Sequence, residues 1–312
     1  MGNNYYTNGE EDRTKYNNRG EGVASKIYKE SCSGKNYFKK IIEKSSLLTT
    51  QIINPQTIVE YMEKIMNELQ KVESPFVLNN YSISIEEEGL CISTEYIEGL
   101  NLKDIIEKTK KKGLGKEAAR FYGAEIILAI EDLHNNNIEI GEYNPANIFI
   151  DSTGHIKLTD IGISYTISKY LDKEKKKEYL QKFENALPPE FVIKKNKTLY
   201  QKGYGDSWTL GVILYYIRYG CFPISYERLE NNLGNNEEIK INKDIKYTRG
   251  KFLDLITRLL KETTIDRLGY NEVEDIKKHP FFEKIDWKKM KEKRVEVPIE
   301  VKKIISSKNY KK

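Results

Sequence analysis

No apolar run in the chain approaches the ~18 residues that a membrane span requires. The opening stretch, MGNNYYTNGEEDRTKYNNRG, has no apolar core and so does not read as a signal peptide. Its Met-Gly start invites N-myristoylation, yet Tyr6 stands where that signal needs Ser or Thr. Cysteine is scarce. Cys32, Cys91 and Cys221 lie far apart and match no metal or redox spacing, so reduced thiols in a cytoplasmic protein are expected. An excess of one charge is also missing. The 52 basic residues sit among 47 acidic ones for a net charge of +5, which describes a solvated surface and not a nucleic-acid footprint.

What is present fits a globular protein with a sizeable core: 312 residues, 38% hydrophobic and 32% charged. Residues 1–16 are polar and rich in Asn, and are expected to be a disordered tail. Residues 17–96 show short apolar runs and turns, interrupted by one helix. Asn54 reads as its cap and Pro55 as its first residue, and the apolar stripe is Ile58, Met62, Ile65, Leu69 and Val72. Helical patterns dominate residues 97–290, as in KEAARFYGAEIILAIEDLHNN and GDSWTLGVILYYIRYG, and a short tail covers 291–312. Between the helical blocks, NIFIDSTGHIKLTD reads as strand–turn–strand with Gly154 at the turn. The run KEKKKE at 173–178 reads as a solvated segment.

Several blocks in a fixed order carry a family resemblance. They are EYNPANIFIDSTGHIKLTDIGIS, LPPEF, GDSWTLGVILYYIRYGCFPI and FLDLITRLLKETTIDRLG followed by EDIKKHPFFEKIDW. From about Gly20 to Val297 the chain resembles the eukaryotic protein kinases, and its closing segment is similar to that of the AGC group. The resemblance implies an α+β, two-lobed fold: a small β-rich N-lobe with one main helix and a larger helical C-lobe. It also implies ATP and Mg as ligands, provided the nucleotide slot is open. Kinase chemistry is mostly positioning of phosphates and neutralisation of charge, so each matching position can be asked whether it still serves.

In the glycine loop RGEGVASKI, Gly20 and Gly22 match the first two glycines, and Ile27 matches the residue that touches adenine. Ser25 replaces the third glycine, which reduces the close backbone approach that phosphate cradling needs. Lys40 is the best match to the phosphate-binding lysine, and this puts Phe38 where the family has the alanine above adenine. A frame shifted by one would make the lysine Lys39 and still place an aromatic there. Below the slot, Phe149 stands for the usual leucine, and Thr94, Glu95 and Tyr96 match the gatekeeper and hinge. Either Phe38 and Phe149 fill the adenine slot and join the lobes, or Phe38 rotates outward and packs elsewhere. The glutamate that should pair with the lysine matches Ile65, so Lys40 is expected to lack that partner and to read as a surface lysine. Glu60 and Glu63 fall on the far side of the helix from its apolar stripe, and Glu68 flanks it.

In the catalytic loop, Glu142 occupies the position of the base aspartate, where its extra methylene displaces the carboxylate by about 1 Å. Asn144 replaces the lysine that neutralises the transferred group, and Gly141 replaces the arginine that reads an activation-loop phosphate. No Ser or Thr occurs between Ser168 and Thr198, so the phosphorylation switch lacks its acceptor as well. Asn147 and Asp160, thirteen residues apart, match the Mg ligands, with capping of a turn as the alternative. The resemblance also assigns Glu190 and Arg267 to a buried ion pair, and Asp206 to a cap on the catalytic loop. After VEVPIEVKKII the sequence shows no match to the Phe-containing tail with which AGC kinases dock on themselves, so that groove is expected to be open to a partner. These matches and losses imply a pseudokinase with impaired ATP binding and phosphotransfer and no cofactor expected, monomeric alone, that scaffolds or regulates a protein partner such as another kinase or a regulatory subunit. Two alternatives stay open: a weak Ser/Thr kinase with Glu142 as base, and a switch that binds ATP without transferring phosphate.

Overall fold

The computed structural model describes residues 14–16, 25–32, 34–43, 55–108, 113–140, 143–161, 188–192, 204–224 and 250–306. An upper antiparallel sheet runs in the order β1-β2-β3-β5-β4. Its strands are β1 (Thr14–Tyr16), β2 (Ser25–Cys32), β3 (Lys35–Glu43), β4 (Asn80–Ile85) and β5 (Gly89–Glu95). The first of these is a correction. Thr14–Tyr16, expected to close a disordered tail, pairs instead with Tyr28 and its neighbours in β2. Its β-branched and aromatic residues suit a strand despite the polar context.

Helix α1 (Pro55–Leu69) begins at the expected proline. Its buried side chains are Val59, Met62, Met66 and Leu69, at spacings that hold one face of a helix. Ile65, expected within that stripe, lies at its border and is partly buried against the main core. The stripe is therefore turned toward Met66 relative to the sequence reading.

The lower body starts with β6 (Gly99–Asn101) and α2 (Leu102–Lys108), where the Asn101 side chain accepts the Asp104 N–H at 2.8 Å and so opens the helix. Helices α3 (Gly115–Asn135) and α5 (Tyr204–Tyr219) carry long runs of buried residues and form the centre of the core. Gly123 permits their close approach: a Cβ there would lie 2.5 Å from Leu214 Cδ2. The expected strand–turn–strand is present as β7 (Ile148–Asp151) and β8 (Ile156–Leu158), which form a sheet with β6. Gly154 turns the hairpin at φ +93°, with Val297 packed where a side chain would be. The remaining helices are α4 (Pro189–Val192), α6 (Lys251–Leu259), α7 (Glu274–Lys277), α8 (Trp287–Lys291) and α9 (Ile299–Ile305). No helix among the described residues is long and apolar enough to cross a membrane.

Two backbone hydrogen bonds join the upper and lower bodies. Leu78 N–H donates to Leu158 O at 2.9 Å, and Leu158 N–H donates to Phe76 O at 2.8 Å, so the segment before β4 runs as an extra strand beside β8.

The pair expected at Glu190 and Arg267 forms. The guanidinium makes a fork of 2.7 and 2.9 Å to the carboxylate, donates to Lys261 O at 3.0 Å, and lies over the Trp208 ring. Both charged groups are nearly fully buried, so removal of one strands the other in a low-dielectric site. Arg267→Ala is expected to cost about 3–5 kcal/mol in urea-induced unfolding. A loss under about 1 kcal/mol would class the pair with surface salt bridges.

Candidate active site

Strand register decides which side chains share the cleft. Ile27 pairs with Lys40 across β2–β3, and Phe38 pairs with Thr94 across β3–β5. Directly paired residues face the same side of a sheet, and residues two apart along a strand do so too. Ile27, Phe38, Lys40 and Thr94 therefore form one face of the upper sheet. Lys39 lies on the opposite face, where its ammonium bonds to Glu86 at 2.9 Å. Burial works against the charge of Lys39, but the Glu86 carboxylate outweighs it and raises its pKa. The register favours Lys40 over Lys39 as the cleft lysine.

Lys40 is not a surface lysine, and that expectation is corrected. Its Nζ lies 2.6 Å from Asp160 Oδ2, and the two side chains are only 17% and 21% exposed. The expectation concerning α1 holds for its described acids: Glu60 and Glu63 are exposed, and Glu68 pairs with Lys71. Asp160 adopts a left-handed backbone, φ +59°, which is uncommon for a residue with a side chain. Such conformations cost energy and persist where the surroundings impose them. Here Ile161 is buried in the core on one side, and Thr159 N–H donates to Asn147 O at 2.9 Å on the other. That bond sets the Asp160 segment beside Asn147, two residues whose oxygen donors are of the kind that suits a hard cation. Among the described residues, no group of three or more His, Cys, Asp or Glu is arranged to hold a metal.

Phe38 points inward. It is 8% exposed and clusters with Leu78 and Ile97, with Ile27, Tyr96 and Phe149 packed against them. The Phe38 and Tyr96 rings meet at 4.8 Å with a 50° tilt, and Lys29 Nζ lies 4.6 Å over the Tyr96 ring. Phe149 comes from the lower sheet, where β7 alternates buried and half-buried residues. The cluster thus takes residues from both bodies, and the outward-rotated alternative for Phe38 is not the arrangement observed.

The loop below is held by its frame. Asn144 caps a 3-10 turn at Pro145–Asn147, accepting the Ala146 N–H at 2.8 Å. An uncharged side chain that accepts a local backbone proton supplies no cation at this position. Asp206 meets the expected role of cap: its Oδ2 accepts the Ile140 N–H at 3.2 Å, and its carbonyl accepts the Tyr143 hydroxyl at 2.8 Å. The readings made at Gly20, Gly22, Gly141, Glu142, residues 173–178 and most of the Ser168–Thr198 interval lie outside the described residues.

Lys157 was not signalled by any motif. It stands between buried Ile156 and Leu158 on β8, and its Nζ lies 2.8 Å from Glu95 Oε1 and 3.2 Å from Val77 O. Period-2 alternation in IKL marks it as outward-facing, but its partner is a tertiary fact.

The order of strands and helices, and the placement of a lysine, an aspartate and an asparagine around one cleft, are those of a protein kinase domain. The family profile described as "Protein kinase domain" matches residues 14–282, and the chain belongs to this family. Among similar proteins, ribosomal protein S6 kinase alpha-6 of Mus musculus is 28% identical over 85% of this chain and 33% of its own length. A putative ribosomal protein S6 kinase alpha-2 of Caenorhabditis elegans is 30% identical over 80% of this chain and 32% of its own length. The cAMP-dependent protein kinase type 3 of Saccharomyces cerevisiae is 27% identical over 86% and 63%. These relatives are of the AGC group, and the chain spans about a third of the length of the S6 kinases it matches.

The loop frame carries a titratable contact. His134 Nε2 lies 2.7 Å from Asp206 Oδ2. Burial opposes the imidazolium, but the Asp206 carboxylate outweighs it and raises the His134 pKa above the usual value. A group whose pKa is raised by folding stabilises fully below its unfolded value, near pH 6.5, and less as pH climbs through the folded one. Urea unfolding should therefore show a decline in stability above about pH 6.5 that His134→Gln removes. Identical pH profiles for the two proteins would contradict this.

Proposed function

We propose that the chain is a pseudokinase: a protein kinase domain that acts by binding a protein partner, as a scaffold or allosteric regulator of another kinase or its regulatory subunit. The observation that carries this reading is Phe38, buried among Leu78, Ile97, Ile27, Tyr96 and Phe149 at the position matched to the roof of the adenine slot. A close-packed interior has no room for a phenyl ring and a purine together. The purine position is therefore a poor fit for a nucleotide. The positions below it, Lys40, Asn147 and Asp160, suit phosphate and Mg when these are present, the metal supplying charge neutralisation. Asn144, occupied as a cap, is consistent with lost transition-state stabilisation. The cytoplasmic setting follows from the thiol reading and is part of the same proposal. Burial pushes the Cys91 thiol up to about 12, in keeping with an inert reduced cysteine.

One observation favours a second reading, a weak Ser/Thr kinase with Glu142 as base: Lys40 is aimed into the cleft at Asp160, as an oriented phosphate ligand would be.

Calorimetric titration with Mg-ATP should give a dissociation constant weaker than about 1 mM for the native chain and a gain of at least about tenfold in Phe38→Ala. That variant should also lose up to about 5 kcal/mol of stability through the cavity created. Micromolar affinity in the native chain would overturn the filled slot. In a phosphotransfer assay with mixed peptide substrates, the native chain should show no more transfer than Glu142→Gln. Transfer that disappears in Glu142→Gln would establish the second reading.

A further inference from the structure

Two lysines cross between the lobes in opposite directions. Lys40 hangs from β3 in the upper sheet and meets Asp160 in the lower body at 2.6 Å. Lys157 stands on β8 in the lower sheet and meets Glu95, the last residue of β5 in the upper sheet, at 2.8 Å. Each body thus donates one ammonium and receives one at a carboxylate. All four side chains are between 16% and 21% exposed, so both contacts are largely shielded from salt.

The two contacts flank the aromatic cluster along one strand. Tyr37 pairs with Glu95, Phe38 follows it, and Lys40 lies two residues further along β3. At about 3.3 Å per residue, the two latch points are roughly 10 Å apart along β3, with Lys40 on the Phe38 face of the sheet and Glu95, opposite Tyr37, on the other face. Glu95 is tied further: its Oε1 accepts the Asn79 N–H at 3.3 Å and its Oε2 accepts the Asn79 side-chain amide at 3.1 Å. Lys157 also donates to Val77 O, within the segment that runs beside β8. A backbone bridge at Phe76–Leu78 acts as pivot, the apolar cluster around Phe38 fills the cleft face, and one ion pair ties each face of the upper sheet to the lower body. A rotation of one lobe on the other breaks at least one of these contacts.

We propose that Lys40–Asp160 and Lys157–Glu95 form a reciprocal double latch that fixes the angle between the lobes without nucleotide or metal. This regulation of the cleft rests on the pseudokinase reading, because a chain that closes on its own side chains presents its partner-binding surface constitutively. The Lys157 arm uses none of the positions matched to phosphate and Mg; its acceptor, Glu95, is matched to the hinge.

Amide hydrogen exchange on the full chain tests it, read at Leu78 and Leu158, whose N–H groups bridge the two bodies, with Leu210–Ile217 in α5 as the internal reference. In the native chain the exchange rates at Leu78 and Leu158 should be the same with excess EDTA as with Mg. Lys157→Glu should raise both rates at least tenfold relative to α5, and Lys157→Glu combined with Glu95→Lys should restore them. The double variant keeps both charges, so it serves even where the single variant is poorly folded. Unchanged rates in a folded Lys157→Glu, a double variant that stays fast, or a rise on adding EDTA to the native chain would each overturn the latch. ATP affinity is measured separately: a native chain that binds ATP yet keeps these rates loses the filled slot and retains the latch.

Discussion

One steric constraint organises the cleft: a phenyl ring at position 38, closed in by aliphatic and aromatic neighbours from both lobes. In an ordinary kinase cleft the nucleotide is the material between the lobes. In the proposed reading the chain supplies that material itself. With Phe38 inward, its ring meets Tyr96, just beyond β5, and packs in one cluster with Phe149 from the lower sheet. Lys40 lies two residues along the same strand face, and its ammonium meets Asp160 of the lower body.

The departures from the family pattern are confined to the working parts. The frame is kept: the Arg267–Glu190 fork, the Asp206 contacts to the catalytic loop, and the tight α3–α5 packing. Asn144 illustrates the exchange. A position that would hold a mobile cation instead fixes a local turn, which strengthens the loop while withdrawing charge from it.

Much of this was legible from the sequence, and the reasons are local. Pro55 opening a helix, Gly154 turning a hairpin and the alternation in IFID are signals spread over a few residues, and the structure follows them. The buried fork and the loop cap were legible through family resemblance, because their partners are remote in sequence: Arg267 and Glu190 are 77 residues apart. What could not be read was the partner chosen by a side chain when the usual one is missing. Lys40 lost its expected glutamate and took an aspartate 120 residues away. Lys157 carried no signal beyond its outward position. The α1 face was read slightly out of phase because Val59 and Met66 compete with Ile65 for the buried side beside Met62 and Leu69, and packing decides between them. Thr14–Tyr16 was misread because composition dominates a three-residue strand that is specified by its neighbour.

The most direct measurement of the central claim is a crystal structure grown or soaked with Mg and a non-hydrolysable ATP analogue. The account predicts electron density for the Phe38 ring between Ile27 and Phe149, and none for a purine. Clear density for the analogue's base between the lobes, with Phe38 displaced, would contradict it.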